Sequence, residues 1–256
     1  MSVIALASAH GAPGVTTSAL ALLWAWPLAR LGRRVLLVDG DPAGSGLLTG
    51  PLRAGVPVSA GVSVLAAVHP PLTAEQMIGC AVALDDTSTR MLLPGVVDPM
   101  QARPLGATWT ALVDVARDLS AQGVDVLVDA GRVGHRHEPT PWLAEADLVL
   151  LVAHGQVASV LPAAAAVRTL AVTRAGRSAP LGLVVDPGPY TPGELATALG
   201  VHEVLTLPRD RWAAVALLDG AARGRRFERS PLLRAARSVA DRLTELVPEP
   251  EPVVSR

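Results

Sequence analysis

Seven short runs of almost unbroken apolar residues, each closed by Gly, Asp or Pro, recur along this 256-residue chain: Val3–Ala7, Val35–Val38, Met91–Leu93, Val124–Val128, Leu148–Ala153, Leu181–Val185 and Val204–Leu207. A strand that is apolar on both faces has to be covered on both, which is the situation of a parallel sheet held between two helical layers. The segments between them carry helical patterning: Thr17–Leu31, Ala107–Gln122, Val157–Val172, Pro192–Leu199, Arg211–Leu218 and a closing stretch at Pro231–Leu246. This alternation predicts an α/β fold, a doubly wound, mostly parallel β-sheet flanked by helices. Residues 43–90 are rich in Gly and Pro and give only two helical patches, Ser63–Val68 and Thr73–Val82. The end of the chain, "PEPEPVVSR", reads as disordered, so one domain is expected over residues 1–246 with a tail at 247–256.

Composition narrows the function classes. Half the residues are hydrophobic but only 3% are aromatic, so Ala, Val and Leu must fill the core. A net charge of −1 gives no global attraction to nucleic acid or anionic lipid. Cys80 is the single cysteine, which excludes a disulfide framework or thiolate cluster within one chain and fits a reducing cytoplasm. The first apolar run has no basic residue before it and leads into glycines, unlike a secretory leader. Runs such as "ADLVLLVA" fall far short of the roughly 20 residues a membrane helix needs. The expectation is a soluble, cytoplasmic protein without a membrane helix.

Chemistry concentrates at the ends of the predicted strands. The stretch "ASAHGAPGVTTSAL" joins the first strand to the first helix. Gly11 and Gly14 allow backbone N–H groups to turn inward, and the helix N-terminus adds its dipole, together making an anion site. Taken alone, the same residues also suit a plain tight turn. The second strand runs into "VLLVDGDPAGSG", bringing Asp39 and Asp41 to its carboxyl end, and "GVDVLVDAG" does the same for Asp129. Carboxyl strand ends line the ligand crevice of an open parallel sheet. One such Asp is ordinarily a helix cap or turn former. Three of them beside a glycine loop are the arrangement that Mg²⁺-nucleotide chemistry needs.

Three segments, "HGAPGVTTSALALLWA", "RRVLLVDGDPAGSG" and "GVDVLVDAG", resemble the deviant Walker A, switch I and Walker B motifs of ParA/MinD-like P-loop ATPases. "ADLVLLVAHGQVASV" and "LTLPRDRWAAVALLDG" extend the resemblance over nearly the whole chain, with residues 43–90 matching least. "LLPGVVDPMQARPLG" is similar to the divergent TadZ/CpaE-like branch associated with Tad-type pilus and secretion genes. The resemblance implies a P-loop NTPase-like, SIMIBI-class fold, ATP and Mg²⁺ as cofactors, and a homodimer across the P-loop face that positions a larger protein machine. It assigns nucleotide binding to His10, Gly11, Ala12, Pro13, Gly14, Val15, Thr16 and Thr17. It assigns Mg²⁺ to Thr16, Asp39 and Asp129, and orientation of the attacking water to Asp41.

The departures from that pattern are as informative. Ala9 stands at the motif's first Gly, His10 at the signature lysine and Val15 at the P-loop lysine. All 22 basic residues of the chain are arginine. Each missing charge-assisted bond removes about 1.5–3 kcal/mol, or roughly tenfold to 150-fold in affinity. His10 when protonated, or Arg132 after the Walker B segment, stand where a substitute cation could act. The sequence therefore predicts a positioning or assembly protein for a partition or pilus/secretion machine, with weakened ATP binding and weak or absent hydrolysis. The alternatives are a nucleotide-independent pseudo-ATPase scaffold and, less favoured, a P-loop metabolic ligase or synthetase.

Other features have plainer readings. "GHRHEP" at 134–139 is expected to be a solvated loop, and His154 and His202 are expected to be structural. Trp24 and Trp26 should lie on different faces of the first helix. Seven arginines, Arg223, Arg225, Arg226, Arg229, Arg234, Arg237 and Arg242, give a possible weak, nonspecific DNA contact, diluted by Asp219, Glu228 and Asp241. The "PEPEP" ending lacks the basic amphipathic membrane helix of MinD-like members.

Overall fold

The computed structural model describes residues 3–10, 14–28, 32–48, 50–53, 55–221 and 224–247. Strands are β1 (Val3–Ser8), β2 (Arg34–Asp39), β3 (Val82–Ala83), β4 (Arg90–Leu93), β5 (Val124–Arg132), β6 (Leu148–His154), β7 (Leu181–Val185) and β8 (Val204–Leu207). The helices are α1 (Val15–Ala25), α2 (Val62–Ala66), α3 (Ala74–Gly79), α4 (Gly106–Ala121), α5 (Thr140–Glu145), α6 (Val157–Thr173), α7 (Pro192–Leu199), α8 (Arg211–Leu218), α9 (Arg225–Glu228) and α10 (Pro231–Leu246). One sheet contains all eight strands in the order β3-β4-β2-β5-β1-β6-β7-β8. Every pairing is parallel except that of β3 with β4 at the edge.

The strands alternate between two apolar layers, which is why their sequences read as unbroken. Ala5, Ala7, Leu36, Val38, Val126 and Val128 face one layer, with Leu112 of α4, Trp142 of α5 and Val167 of α6. Ile4, Leu6, Leu37, Leu127 and Leu150 face the other, with Leu20 of α1, Leu217 of α8 and Val239 of α10. The scarcity of aromatics is met by Val, Ala and Leu on strands and helices alike.

Local chemistry sets the helix ends. Thr191 caps α7 by accepting from Glu194 N while the Glu194 side chain returns the bond, and Pro192 occupies the first turn. Asp210 caps α8 and Ser230 caps α10 in the same sense. The first helix, expected to reach Leu31, ends at Ala25: Trp26 before Pro27 is extended, with φ −56° and ψ 133°. A residue preceding proline is driven out of helical geometry by the ring, so Trp26 leaves the helix that was expected to carry it. The helix expected over Thr73–Val82 stops at Gly79, because Val82 and Ala83 form the short antiparallel β3. Residues 248–256, the bulk of the tail expected to be disordered, lie outside the described residues.

Candidate functional site

Parallel strands bring their carboxyl ends to one edge of the sheet, and β1, β2 and β5 are neighbours there. From β1 the chain runs through the glycine loop into α1. Of the loop residues expected to bind nucleotide, Gly11, Ala12 and Pro13 lie outside the described residues. Gly14 precedes α1, and Val15, Thr16 and Thr17 form its first turn. Backbone pairing puts Asp39 directly opposite Asp129. The Thr16 hydroxyl donates to Asp129 Oδ2 at 2.6 Å, and Gly131 N–H donates to Asp129 Oδ1 at 3.0 Å.

The Asp39 carboxylate is buried, and Ser45 Oγ donates to its Oδ2 at 2.7 Å. Its Oδ1 has no hydrogen-bond partner. Burial, reinforced by the charge of Asp129, pushes Asp39 up to about 8 despite the Ser45 bond. Burial also lifts Asp129 to about 6; the Thr16 hydroxyl opposes the shift and Asp41 adds to it. Each of these two carboxyls therefore keeps its proton to higher pH than a solvated aspartate does. No group of three His, Cys, Asp or Glu among the described residues could cage a metal ion unaided.

Asp41 sits at the rim, where its Oδ1 accepts from Ala43 N–H at 2.9 Å. Two glycines make this packing possible. A Cβ on Gly131, which has φ +66°, would stand 2.6 Å from Asp41 Oδ1. A Cβ on Gly95 would stand 2.6 Å from the carboxyl carbon of Asp39. Contacts that short do not occur, so both positions exclude any larger residue while the carboxylates stay in place.

Asp41 and Thr16 line a cavity of about 540 Å³ together with Val15, Thr17, Arg132 and His135. A second cavity of about 460 Å³ shares Gly14 and Thr17 with the first and extends past His154 and Asp186 to Arg209 and Arg211. The pair forms a continuous surface along the carboxyl edge, one part beside the glycine loop and carboxylates and the other beside β7 and β8. Val15 is nearly buried and belongs to the apolar layer containing Leu6 and Leu20.

The structure thus brings together Val15, Thr16, Thr17, Asp39, Asp41 and Asp129. His10 lies just after β1, where its carbonyl accepts from Ser8 Oγ at 2.9 Å. Sequence reasoning missed Ser45 and His135. Ser45 was visible only as part of "DPAGSG", and His135 sits in the segment read as a solvated loop, yet its side chain lines the first cavity. His154 matches its structural reading, with Nδ1 3.0 Å from the Val185 carbonyl. The C-terminal arginines are unequal: Arg242 pairs with Glu203 and Glu245, Arg226 lies over the Trp212 ring at 4.4 Å, and Arg223 is outside the described residues. No helix among the described residues is long and apolar enough to cross a membrane.

No family model matches the chain, and no curated protein matches it. Solved structures do. The MinD cell division protein of Aquifex aeolicus is similar with a TM-score of 0.72 at 21% identity, over 98% of this chain and 99% of that one. A ParA family ATPase from Chlorobium tepidum TLS gives 0.73 at 15% identity, over 93% and 98%. Cobyrinic acid a,c-diamide synthase from Mycobacterium smegmatis, with bound ADP and magnesium, gives 0.65 at 22% identity, over 95% and 94%. At these identities the likeness is one of fold. The chain has the P-loop NTPase fold seen in ParA and MinD ATPases.

Proposed function

We propose that this chain is a ParA/MinD-like positioning or assembly protein that binds Mg²⁺-ATP weakly, hydrolyses it slowly or not at all, and dimerises across its loop face. The observation that carries this reading is the hydrogen bond from Thr16, which lines the first cavity, to the buried Asp129, whose strand partner Asp39 has an unpartnered Oδ1. Oxygen donors and uncompensated negative charge fit a hard divalent cation. Mg²⁺ would take an oxygen from Thr16, directly or through water from Asp129, and its remaining ligands from phosphate and water, as this ion usually does. Asp39 would stay behind them as a buried negative charge, and Asp41 at the rim would orient water. Bound Mg²⁺ would supply charge neutralisation for the phosphates, which the loop itself cannot provide through lysine.

The same fold serves a synthetase, so fold alone does not decide function. The assembly reading rests on the resemblance of the loop and strand-end segments to ParA/MinD-like ATPases and on the fold shared with them. A Tad-type pilus or partition apparatus as client, a cytoplasmic location and a weak DNA contact through the C-terminal arginines belong to this proposal. The scaffold reading has one specific observation behind it: Val15, at the lysine position, is packed into the core.

Titration calorimetry with Mg²⁺-ATP, combined with sedimentation, separates the two. Micromolar to sub-millimolar binding with nucleotide-dependent dimerisation supports the proposal. A dimer that forms without nucleotide, and no heat of binding at millimolar Mg²⁺-ATP, overturns it in favour of the scaffold.

A further inference from the structure

A glycine loop whose sequence lacks both lysines of the motif it resembles needs positive charge from elsewhere to hold phosphate. Resting on the nucleotide-binding reading above, we infer that Arg132 is the phosphate-binding cation of this chain. The argument starts from strand register. Leu6 of β1 pairs with Asp129 of β5, and Ser8 pairs with Arg132, so two steps along β1 match three along β5. The extra residue is a β-bulge, which resets the alternation of side chains. Without it, Asp129 and Arg132 would face opposite sides of the sheet. With it, both match Leu6 and Ser8, which lie two apart and share the face that α1 covers.

The backbone on either side of Arg132 is fixed to the root of the glycine loop. Val133 N–H donates to the Ser8 carbonyl at 2.9 Å, and Ser8 Oγ reaches the Gly131 carbonyl at 3.4 Å. Arg132 is exposed, and it lines the same cavity as Thr16, Thr17 and Asp41. Among the described residues, no carboxylate forms an ion pair with it. The other cations are less well placed. Arg209 and Arg211 line the adjoining cavity beside β8, and Arg33 is committed to Asp125 at the far end of the sheet. Arg132 therefore combines a pinned backbone, a guanidinium with no ion-pair partner among the described residues and a place on the wall of the cavity that Thr16 and Thr17 also line. A planar, permanently charged guanidinium is suited to grip phosphate oxygens in pairs. In a chain without lysine, it is the residue type available for the task.

The test compares wild type, Arg132→Gln and Arg132→Lys by titration calorimetry with Mg²⁺-ATP and with adenosine, and follows each variant by thermal unfolding. Expected results are at least a tenfold loss of Mg²⁺-ATP affinity in Arg132→Gln, a partial recovery in Arg132→Lys, and unchanged adenosine affinity and melting temperature. Wild-type binding of Mg²⁺-ATP that Arg132→Gln leaves within twofold overturns the assignment of Arg132 and leaves the nucleotide-binding reading standing. Equal losses for ATP and adenosine also overturn it, since they denote a general structural role. Absence of Mg²⁺-ATP binding in wild type overturns both.

Discussion

Strand β5 carries two buried carboxylates four residues apart, and their surroundings are opposite. Asp125, at the start, accepts from the Trp26 indole N–H at 2.9 Å and from Arg33 Nε at 3.0 Å, and Arg33 also donates to the Ser120 carbonyl. Asp129, near the end, meets a hydroxyl, a backbone N–H and another buried aspartate, with no cation paired to it. The first group closes a network that ties α1, β2 and α4 together at the amino edge of the sheet. The second has no cation paired to it among the described residues. Desolvated charge without a partner is costly to the fold, and such groups cluster where ligands bind. On one strand, then, the carboxylate at the amino end is paired with a cation, while the one at the carboxyl end is held by a hydroxyl and a backbone N–H.

The largest test of this contrast removes the stabilising member. Asp125→Ala leaves the Arg33 guanidinium and the Trp26 N–H without their acceptor, and should cost about 3–5 kcal/mol in urea unfolding. Asp39→Asn should act in the opposite direction. The fold holds Asp39 at about 8, above the ordinary carboxylate value. Stability from its protonated form is complete below about pH 4 and is lost as pH rises through 8. Metal-free wild type should therefore lose stability between pH 4 and 8. Asp39→Asn should flatten that decline and be more stable at pH 8.5 by on the order of 3 kcal/mol. Mg²⁺ should stabilise wild type at that pH more than it stabilises Asp39→Asn. A decline that is equally steep in both would break the comparison.

Smaller changes sharpen it. Val15→Lys places an amine at a position that lines the cavity, and should tighten Mg²⁺-ATP binding by about tenfold in calorimetry. An unchanged affinity would show that the side chain stays in the apolar layer. Ser45→Ala removes the hydrogen bond that partly offsets the burial of Asp39. It should cost about 1 kcal/mol near pH 8 and move the midpoint of the stability decline to higher pH.

The contrast also explains what could be read from the chain beforehand. Strands apolar on both faces announced the sheet, and five of the six longer helices were readable almost to the residue, because caps such as Thr191 and Ser230 are local signals. The sixth was misjudged at Pro27, and β3 is too short to show a period. At the site, Thr16, Asp39, Asp41 and Asp129 were legible because strand ends and a helix start are fixed by chain order. Ser45 and His135 were not, since loops bring them in and the spacing of loop residues carries no period. The bulge that turns Arg132 toward α1 depends on pairing between β1 and β5, and one strand's sequence does not encode it.

The meeting of Gly131 and Asp41 has a mechanical consequence. With Asp41 Oδ1 occupying the space next to Gly131 Cα, and Gly40 N–H bonded to the Asp129 carbonyl at 2.8 Å, the turn after β2 is keyed against the end of β5. A residue larger than glycine at 131 would have to push Asp41 away from that strand end.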